Sequence, residues 1–314
     1  MKKKNTNKKK HNILNIIKEI ITFPKYIIIG IQFFTNDKKQ KELNMEDKII
    51  PIIIYTLTII TYLICIFIIS RWYVQNARNK NLAKDLEENS LYIEKQEENN
   101  ANNNNKAKKQ TKYNYKYPDD LSFININLNP YIKINPETVA WIQVNGTIIN
   151  YPVVKHKDNN YYLNHDFYKR KTDIGAIFAD YRDNFDEFND NNIIYGHNIV
   201  NGTMFGQLPN LLTKSWQSNK KYHYIKLSTK KTNTIWKIFS VYEIKPTVDY
   251  LQSNFNSIRT YQEFLDLIKK RSSYNFNTEL NTDDKIITLS TCNNIGNKRV
   301  VVHAKLINLE KKEN

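Results

Sequence analysis

Cys292 closes an apolar run, Lys285-Ile286-Ile287-Thr288-Leu289-Ser290-Thr291-Cys292. The chain has one other cysteine, Cys65, inside an uncharged stretch far upstream. A thiol without an internal partner is a buried filler, a bridge between two chains, or a nucleophile. The nucleophile reading needs help from its surroundings. The thiolate is the reactive form, and a free thiol has a pKa near 8.5. Attack on an amide or ester at neutral pH therefore calls for a neighbouring imidazole or cation. Of the six histidines, His11 precedes the uncharged stretch, and His156, His165 and His223 sit in polar, loop-like surroundings. His197 ends a strand-like run, Asn192-Ile193-Ile194-Tyr195-Gly196-His197-Asn198, beside a glycine that permits close approach. His303 lies in Val300-Val301-Val302-His303-Ala304, an expected neighbour of the Cys292 strand. His197 is the stronger candidate and His303 the second; for each the alternative is a hydrogen-bonded structural histidine. Arg299 opens the strand-like run after Cys292. If the two strands pair, its guanidinium returns beside the thiol, where it could hold a carbonyl or stabilise an oxyanion. A solvated charge at a strand start is the alternative. There is no Gly-rich phosphate loop and no zinc-spaced Cys/His cluster.

The elements that must position these residues begin near residue 118. Strand patterns run over 138–144, 147–154, 175–180, 192–196, 222–227, 232–244, 285–291 and 299–309. Asn145-Gly146 between the first two is a hairpin signal. Helical patterns cover 205–216 and 257–270, the latter with Ile258, Tyr261, Phe264, Leu265 and Ile268 on one face. Many short strands and few helices predict a mostly antiparallel barrel or sandwich.

Upstream, residues 49–70 carry no charge, between Lys48 and Arg71. Twenty-two helical residues span about 30 Å, the thickness of a bilayer core. The 48 residues before this stretch and the lack of a small-residue cleavage site favour a retained anchor over a cleaved signal. The first 48 residues hold 12 Lys against 5 acids. That bias keeps this basic segment, 1–48, in the cytoplasm and puts the C-terminal part outside. Residues 71–117 are polar and Asn-rich, too poor in apolar surface to offset ordering entropy, and read as a stalk before a domain at 118–314. The net charge of +16 comes from dispersed lysines without a recognition motif, so no nucleic-acid partner is expected.

These motifs together resemble the sortase family. Thr288-Leu289-Ser290-Thr291-Cys292 followed by Arg299 is similar to the active-site strand of these membrane-anchored cysteine transpeptidases of Gram-positive bacteria. Asn191 to Asn198, then Gly202-Thr203-Met204-Phe205, resembles their histidine region in its class B form. Asn135-Pro136-Glu137-Thr138-Val139-Ala140-Trp141-Ile142, Tyr151-Pro152-Val153-Val154, Asp158-Asn159-Asn160-Tyr161-Tyr162-Leu163 and Gly175-Ala176-Ile177-Phe178-Ala179-Asp180-Tyr181-Arg182 fit as well. Ser290 and the helical insert at 257–270 favour class B. The Cys-to-Arg loop, 293–298, is short; Arg299 rather than Lys298 takes the basic role because it leads straight into Val300-Val301-Val302.

The resemblance implies a closed eight-stranded β-barrel with flanking helices, preceded by one transmembrane helix. It implies a Cys292–His197–Arg299 active site with no metal or organic cofactor, and Tyr195, Ser290 and Thr291 lining the groove for the substrate signal. The expected partners are secreted proteins bearing an Asn-Pro-x-Thr-Asn-like sorting signal, and an amine acceptor: a peptidoglycan precursor of the lipid II type, or a pilin lysine in a pilus-building member. A membrane-tethered cysteine peptidase and a non-catalytic wall scaffold are the alternative readings. Papain-like enzymes are disfavoured, because there the Cys precedes the His in the chain.

Overall fold

The computed structural model describes residues 53, 55–77, 80–81, 84, 121–292 and 298–312, with Cys292 described by its backbone alone. The basic segment 1–48, nearly all of the expected stalk and the loop 293–297 lie outside the described residues. The chain divides into two compact units, Met1–Gln75 and Asn76–Asn314.

The described part of the first unit belongs to one helix, α1 (Tyr55–Ala77), which overlaps the uncharged stretch and continues past its expected end. Its 23 residues cover about 35 Å, and its Ile60, Leu63, Ile64, Phe67 and Ile68 side chains are exposed rather than packed inside the protein. By length and composition this helix can cross a membrane.

The second unit is built around eight strands: β1 (Thr138–Val144), β2 (Asn150–Val154), β3 (Phe178–Ala179), β4 (Asn191–His197), β5 (Tyr224–Thr229), β6 (Thr232–Ile244), β7 (Ile286–Cys292) and β8 (Arg299–Lys311). They close into a barrel in the order β1-β2-β3-β4-β7-β8-β6-β5. Closure removes the edges that an open sheet would leave unpaired. Two pairings are parallel, β2 with β3 and β4 with β7; the rest are antiparallel. The β4–β7 pairing is the one that matters for chemistry.

Each strand forms where β-branched and aromatic residues alternate or run together, and the interior fills with their side chains. Trp141, Ile142, Ile193, Ile194, Trp236, Leu289 and Val302 are all fully buried. Asn145-Gly146 does turn the chain between β1 and β2. Gly146 takes φ +71°, and a Cβ there would fall 2.4 Å from the Tyr222 ring, so only glycine fits. The connection is longer than a two-residue turn, because Val144 N–H closes on the Ile149 carbonyl and β2 starts at Asn150.

Helical segments, most of them a single turn, flank the barrel. The short α2 (Asn129–Ile134) has no counterpart among the predicted helices; Pro130 sits in its first turn, where a fixed φ and a missing N–H cost little. The stretch 205–216 is not one helix, as its pattern predicted. It breaks into a 3-10 turn, Leu208–Leu212, and a single α-turn, α3 (Lys214–Gln217), capped by the Thr213 side chain accepting from Trp216 N–H. Thr213 takes an extended conformation between them, so the helical phase is lost there. The predicted amphipathic helix is present as α4 (Ile258–Lys270), capped by Ser257, whose Oγ accepts from Thr260 N–H at 3.2 Å. Its buried Tyr261, Phe264, Leu265 and Ile268 cover Phe239, Tyr242, Ile286 and Val301 on the outside of β6, β7 and β8. Each such side chain contributes roughly 1.5–3 kcal/mol on burial, so α4 braces the strands that lead to Cys292 and Arg299.

Candidate active site

β4 and β7 run side by side in parallel, with a register that pairs Tyr195 with Ser290, Gly196 with Thr291 and His197 with Cys292. Residues paired in this way share a face of the sheet. The two candidates for proton transfer and nucleophilic attack therefore stand next to each other at the ends of adjacent strands. The Cys292 side chain lies outside the described part of the structure. Gly196, between Tyr195 and His197, leaves room for packing against β4: a Cβ there would meet Ile177 Cδ1 at 2.5 Å and Phe205 Cδ2 at 2.8 Å.

His197 is partly exposed. Its Nε2 donates to the Leu163 carbonyl at 2.6 Å. Its Nδ1 is buried and has no hydrogen-bond partner among the described residues. A buried imidazole nitrogen left without a partner is uncommon and asks for a reason. Phe205 N–H closes on the His197 carbonyl at 3.0 Å and fixes the chain as it leaves β4.

β8 returns antiparallel beside β7, pairing Ser290 with Val301. Beyond that pair the ladder is completed by a side chain: Thr291 Oγ1 accepts from Val300 N–H at 2.9 Å. Arg299 follows at the open end, half-buried, with Nη1 donating to the Tyr250 hydroxyl at 3.2 Å. Tyr250 is fully buried, and its hydroxyl also shares a hydrogen bond with Ser290 Oγ at 3.0 Å. Tyr250 thus ties the segment between β6 and α4 to both the Cys292 strand and Arg299. Lys298 points its charge elsewhere, pairing with Glu243 Oε1 at 2.6 Å.

The three residues expected along the substrate groove are all buried. Ser290 and Thr291 hold Tyr250 and Val300 through their hydroxyls, as above. The Tyr195 hydroxyl turns the other way and donates to Asp180 Oδ2 at 2.9 Å. Burial, reinforced by the Asp180 charge, pushes the Tyr195 hydroxyl pKa up, so it stays protonated. Asp180 is fully buried and takes both Arg182 Nε and Nη2, together with Asn159 Nδ2. Burial alone would raise its carboxyl, but the Arg182 contacts outweigh it and hold Asp180 below the usual carboxylate range. Arg182 Nη2 reaches on to the Leu251 carbonyl at 2.8 Å.

Next to this pair, Asp183 Oδ2 accepts from Ile193 N–H on β4, and its Oδ1 from Ser253 Oγ at 3.0 Å. Burial drives its carboxyl up to about 7, with the Ile193 N–H pulling the other way. Asn191 Nδ2 donates to the Gln252 carbonyl at 2.9 Å. Tyr250 is therefore pinned to β7, Gln252 and Ser253 to Asn191 of β4, and Leu251 between them to Arg182.

The second histidine candidate has a different role. His303 is fully buried between Thr288 Oγ1, 2.8 Å from its Nδ1, and the Tyr242 hydroxyl, 2.9 Å from its Nε2. The Thr288 hydroxyl donates its proton to Asn191 Oδ1, so it must accept from Nδ1–H of the ring. Burial lowers the imidazole pKa to about 3, which keeps it neutral. His303 is a structural link between β7 and β8. His223, expected in a polar loop, is also buried, with Nε2 donating to the Gln217 carbonyl at 2.8 Å.

Tyr250 and the Leu163 carbonyl were invisible to sequence reasoning. Tyr250 is one of 21 tyrosines and lies in an irregular segment. A backbone carbonyl has no residue type to betray it. Asp180 and Arg182 did carry a signal, a carboxylate and a guanidinium two residues apart in the stretch that resembled the family.

The fold is thus a closed eight-stranded β-barrel with a histidine and a cysteine paired on adjacent parallel strands and an arginine opening the next. The family profile described as "Sortase domain" matches residues 142–307. Sortase B of Staphylococcus aureus is 37% identical over 178 residues, 56% of this chain and 72% of that protein. Sortase B of Listeria monocytogenes is 33% identical over 201 residues, 61% of this chain and 80% of the relative. The 2.0 Å crystal structure of S. aureus sortase B superposes with a TM-score of 0.55 at 36% identity, covering 58% of this chain and 86% of that one. The chain belongs to the sortase family, in its class B branch, whose members are transpeptidases of the cell envelope.

Proposed function

We propose that Cys292 is the nucleophile of a transpeptidase that cuts a sorting signal of the Asn-Pro-x-Thr-Asn type after its threonine. The thiolate adds to the threonine carbonyl carbon, the oxyanion forms beside Arg299, and the C–N bond to the following residue breaks. His197 gives its proton to the departing amine. An incoming amine then attacks the thioester, His197 takes up the amine's proton, and the sulfur leaves as thiolate. The observation that carries this reading is the pairing of His197 with Cys292 across β4 and β7, with Arg299 opening β8 alongside. An arginine suits the oxyanion role because it stays charged and presents a planar fork of donors.

Ser290 and Thr291 would line the groove for the signal, with β7 tied to Tyr250 and Val300 through their hydroxyls, and Tyr195 would flank it from β4. The acceptor is a wall-precursor amine. Sortase B of S. aureus has been crystallised with a substrate, and a sortase B with a glycine tripeptide, which fits an extended peptide and a glycyl amine as the two partners. The lysine-rich N-terminal segment would stay in the cytoplasm, with the barrel outside.

The test is to incubate the protein with a panel of sorting-signal peptides and candidate amines, among them triglycine and a lysine-bearing pilin peptide, and to weigh the products. Amine-adducted peptide supports transpeptidation. Hydrolysed peptide alone would make the protein a tethered peptidase. Cys292→Ala should abolish both products with the fold intact, and turnover at the normal rate in that variant would refute the assignment.

A further inference from the structure

A histidine that moves a proton must present the right nitrogen, and which one is free depends on what holds the other. Here the holder is a backbone carbonyl. The oxygen of Leu163 can only accept, so the hydrogen of the 2.6 Å contact belongs to His197 Nε2. In the neutral ring this leaves the lone pair on Nδ1, the nitrogen that is buried and unpartnered among the described residues.

The carbonyl is placed with some care. Leu163 ends a single 3-10 turn, Tyr161–Leu163. The Tyr162 side chain of that turn is fully buried, and its hydroxyl reaches Glu137 Oε2 and receives Asn135 Nδ2–H at 2.9 Å. Across from the turn, Ala176 N–H donates to the Tyr162 carbonyl at 3.0 Å. Gly175, the residue before it, has φ +59°. A Cβ at Gly175 would sit 2.4 Å from the Tyr162 carbonyl, 3.0 Å from the Leu163 carbonyl and 3.0 Å from His197 Cδ2, the ring carbon beside Nε2. The lack of a side chain at this one position is what lets turn and imidazole meet.

We propose that Gly175 and the Leu163 carbonyl form a positioning clamp that fixes His197 in the Nε2–H tautomer, so that Nδ1 alone exchanges protons with the sulfur and the two amines. The inference rests on the reading of His197 as the acid–base group and adds which nitrogen acts and what selects it. Gly175 and Leu163 act through the imidazole.

The experiment uses full-length protein in detergent micelles with 15N-labelled histidine, and reads the His197 ring nitrogens by long-range 1H–15N correlation. Turnover is followed with an Asn-Pro-Ala-Thr-Asn peptide and triglycine. The wild type should show the Nε2–H pattern throughout the pH range in which the ring is neutral. Gly175→Ala should shift His197 toward mixed tautomers and lower kcat by about 10- to 100-fold, with KM for the peptide nearly unchanged, as expected for misplacement of a catalytic group by a fraction of an ångström. Tyr162→Phe frees the turn without adding bulk. It should move the spectrum the same way, with a drop in kcat of about 3- to 10-fold. Should Gly175→Ala fail to fold, the wild-type spectrum and Tyr162→Phe still decide. A wild-type Nδ1–H pattern overturns the clamp, as does an unchanged spectrum and kcat in both folded variants. Undiminished turnover by His197→Ala would instead overturn the acid–base reading, leaving the tautomer measurement standing by itself.

Discussion

Asp183 offers a prediction whose size and sign both follow from its surroundings. Its carboxyl is buried between the Ile193 N–H of β4 and the Ser253 hydroxyl, and it titrates near 7 in the folded protein against 3.8 for an unperturbed aspartate. Between those values the folded state holds a proton that the unfolded chain has lost. Stability therefore falls as pH rises across this window, by about 1.4 kcal/mol per pH unit for this group. The contribution is complete below pH 3.8 and gone once the pH has passed 7. The width of that window bounds the effect at about 4 kcal/mol. Asp183→Asn keeps the shape, can accept from Ile193 N–H and donate to Ser253, and cannot titrate. Urea unfolding followed by tryptophan fluorescence is a suitable assay, since Trp141 and Trp236 are both fully buried. The stability of the variant minus that of the wild type should rise by about 2–4 kcal/mol from pH 4 to pH 8. Taking the difference cancels the other titrating groups. A flat difference, within about 0.5 kcal/mol, would mean that Asp183 is ionised in its buried setting, and the reasoning from burial would fail.

Tyr250→Phe removes the hydroxyl shared by Arg299 and Ser290. Loss of one hydrogen bond to a charged group should lower kcat/KM by about 10- to 100-fold, with a smaller effect on urea stability; wild-type kinetics with an Asn-Pro-Ala-Thr-Asn peptide would show that Arg299 is held by other contacts. Arg299→Lys keeps the charge and loses the planar fork, so kcat should drop by at least about 100-fold, and near-normal kcat would move the oxyanion role elsewhere on the chain. Gly196→Ala drives a methyl into Ile177 and Phe205. It should cost about 1–3 kcal/mol in chemical denaturation, so a variant of wild-type stability would mean that the two neighbouring side chains yield freely.

Local patterns were enough to place nearly every strand, because a strand's period and its turn residues are written in its own few residues. Thr138–Val144 and Thr232–Ile244 stand where alternation and β-branching put them, and Ser257 marks the start of α4 through its capping side chain. The stretch 205–216 misled for a local reason: its apolar spacing suits a helix, while the extended Thr213 splits it in two. His303 shows a second limit. Its sequence neighbours mark it as a strand residue beside the Cys292 strand, which it is, but nothing in them says that Thr288 and Tyr242 enclose the ring. The same holds for Tyr250, whose partners lie 40 and 49 residues further on. Partnership across such distances depends on the closed sheet as a whole.

The pairing of β4 with β7 is the largest of these non-local facts, and it explains why the site sits where it does. His197 and Cys292 are 95 positions apart, and an all-antiparallel meander would not make their strands neighbours in the same direction. Running in parallel, both strands end at one rim of the barrel. Asn191 through Gly196 are buried on both sides, as befits a strand covered on each face. Their register is locked from within by Asn192 Nδ2 on the Ile286 carbonyl and Thr288 Oγ1 on Asn191 Oδ1. A slip of one residue would turn every side chain of one strand to the opposite face. It would bury unpaired asparagine amides and carry His197 off the face that Cys292 occupies. The hydrogen bonds that hold the far end of these strands therefore set the alignment of the reactive end, and the barrel wall works as a ruler for two residues that the sequence keeps far apart.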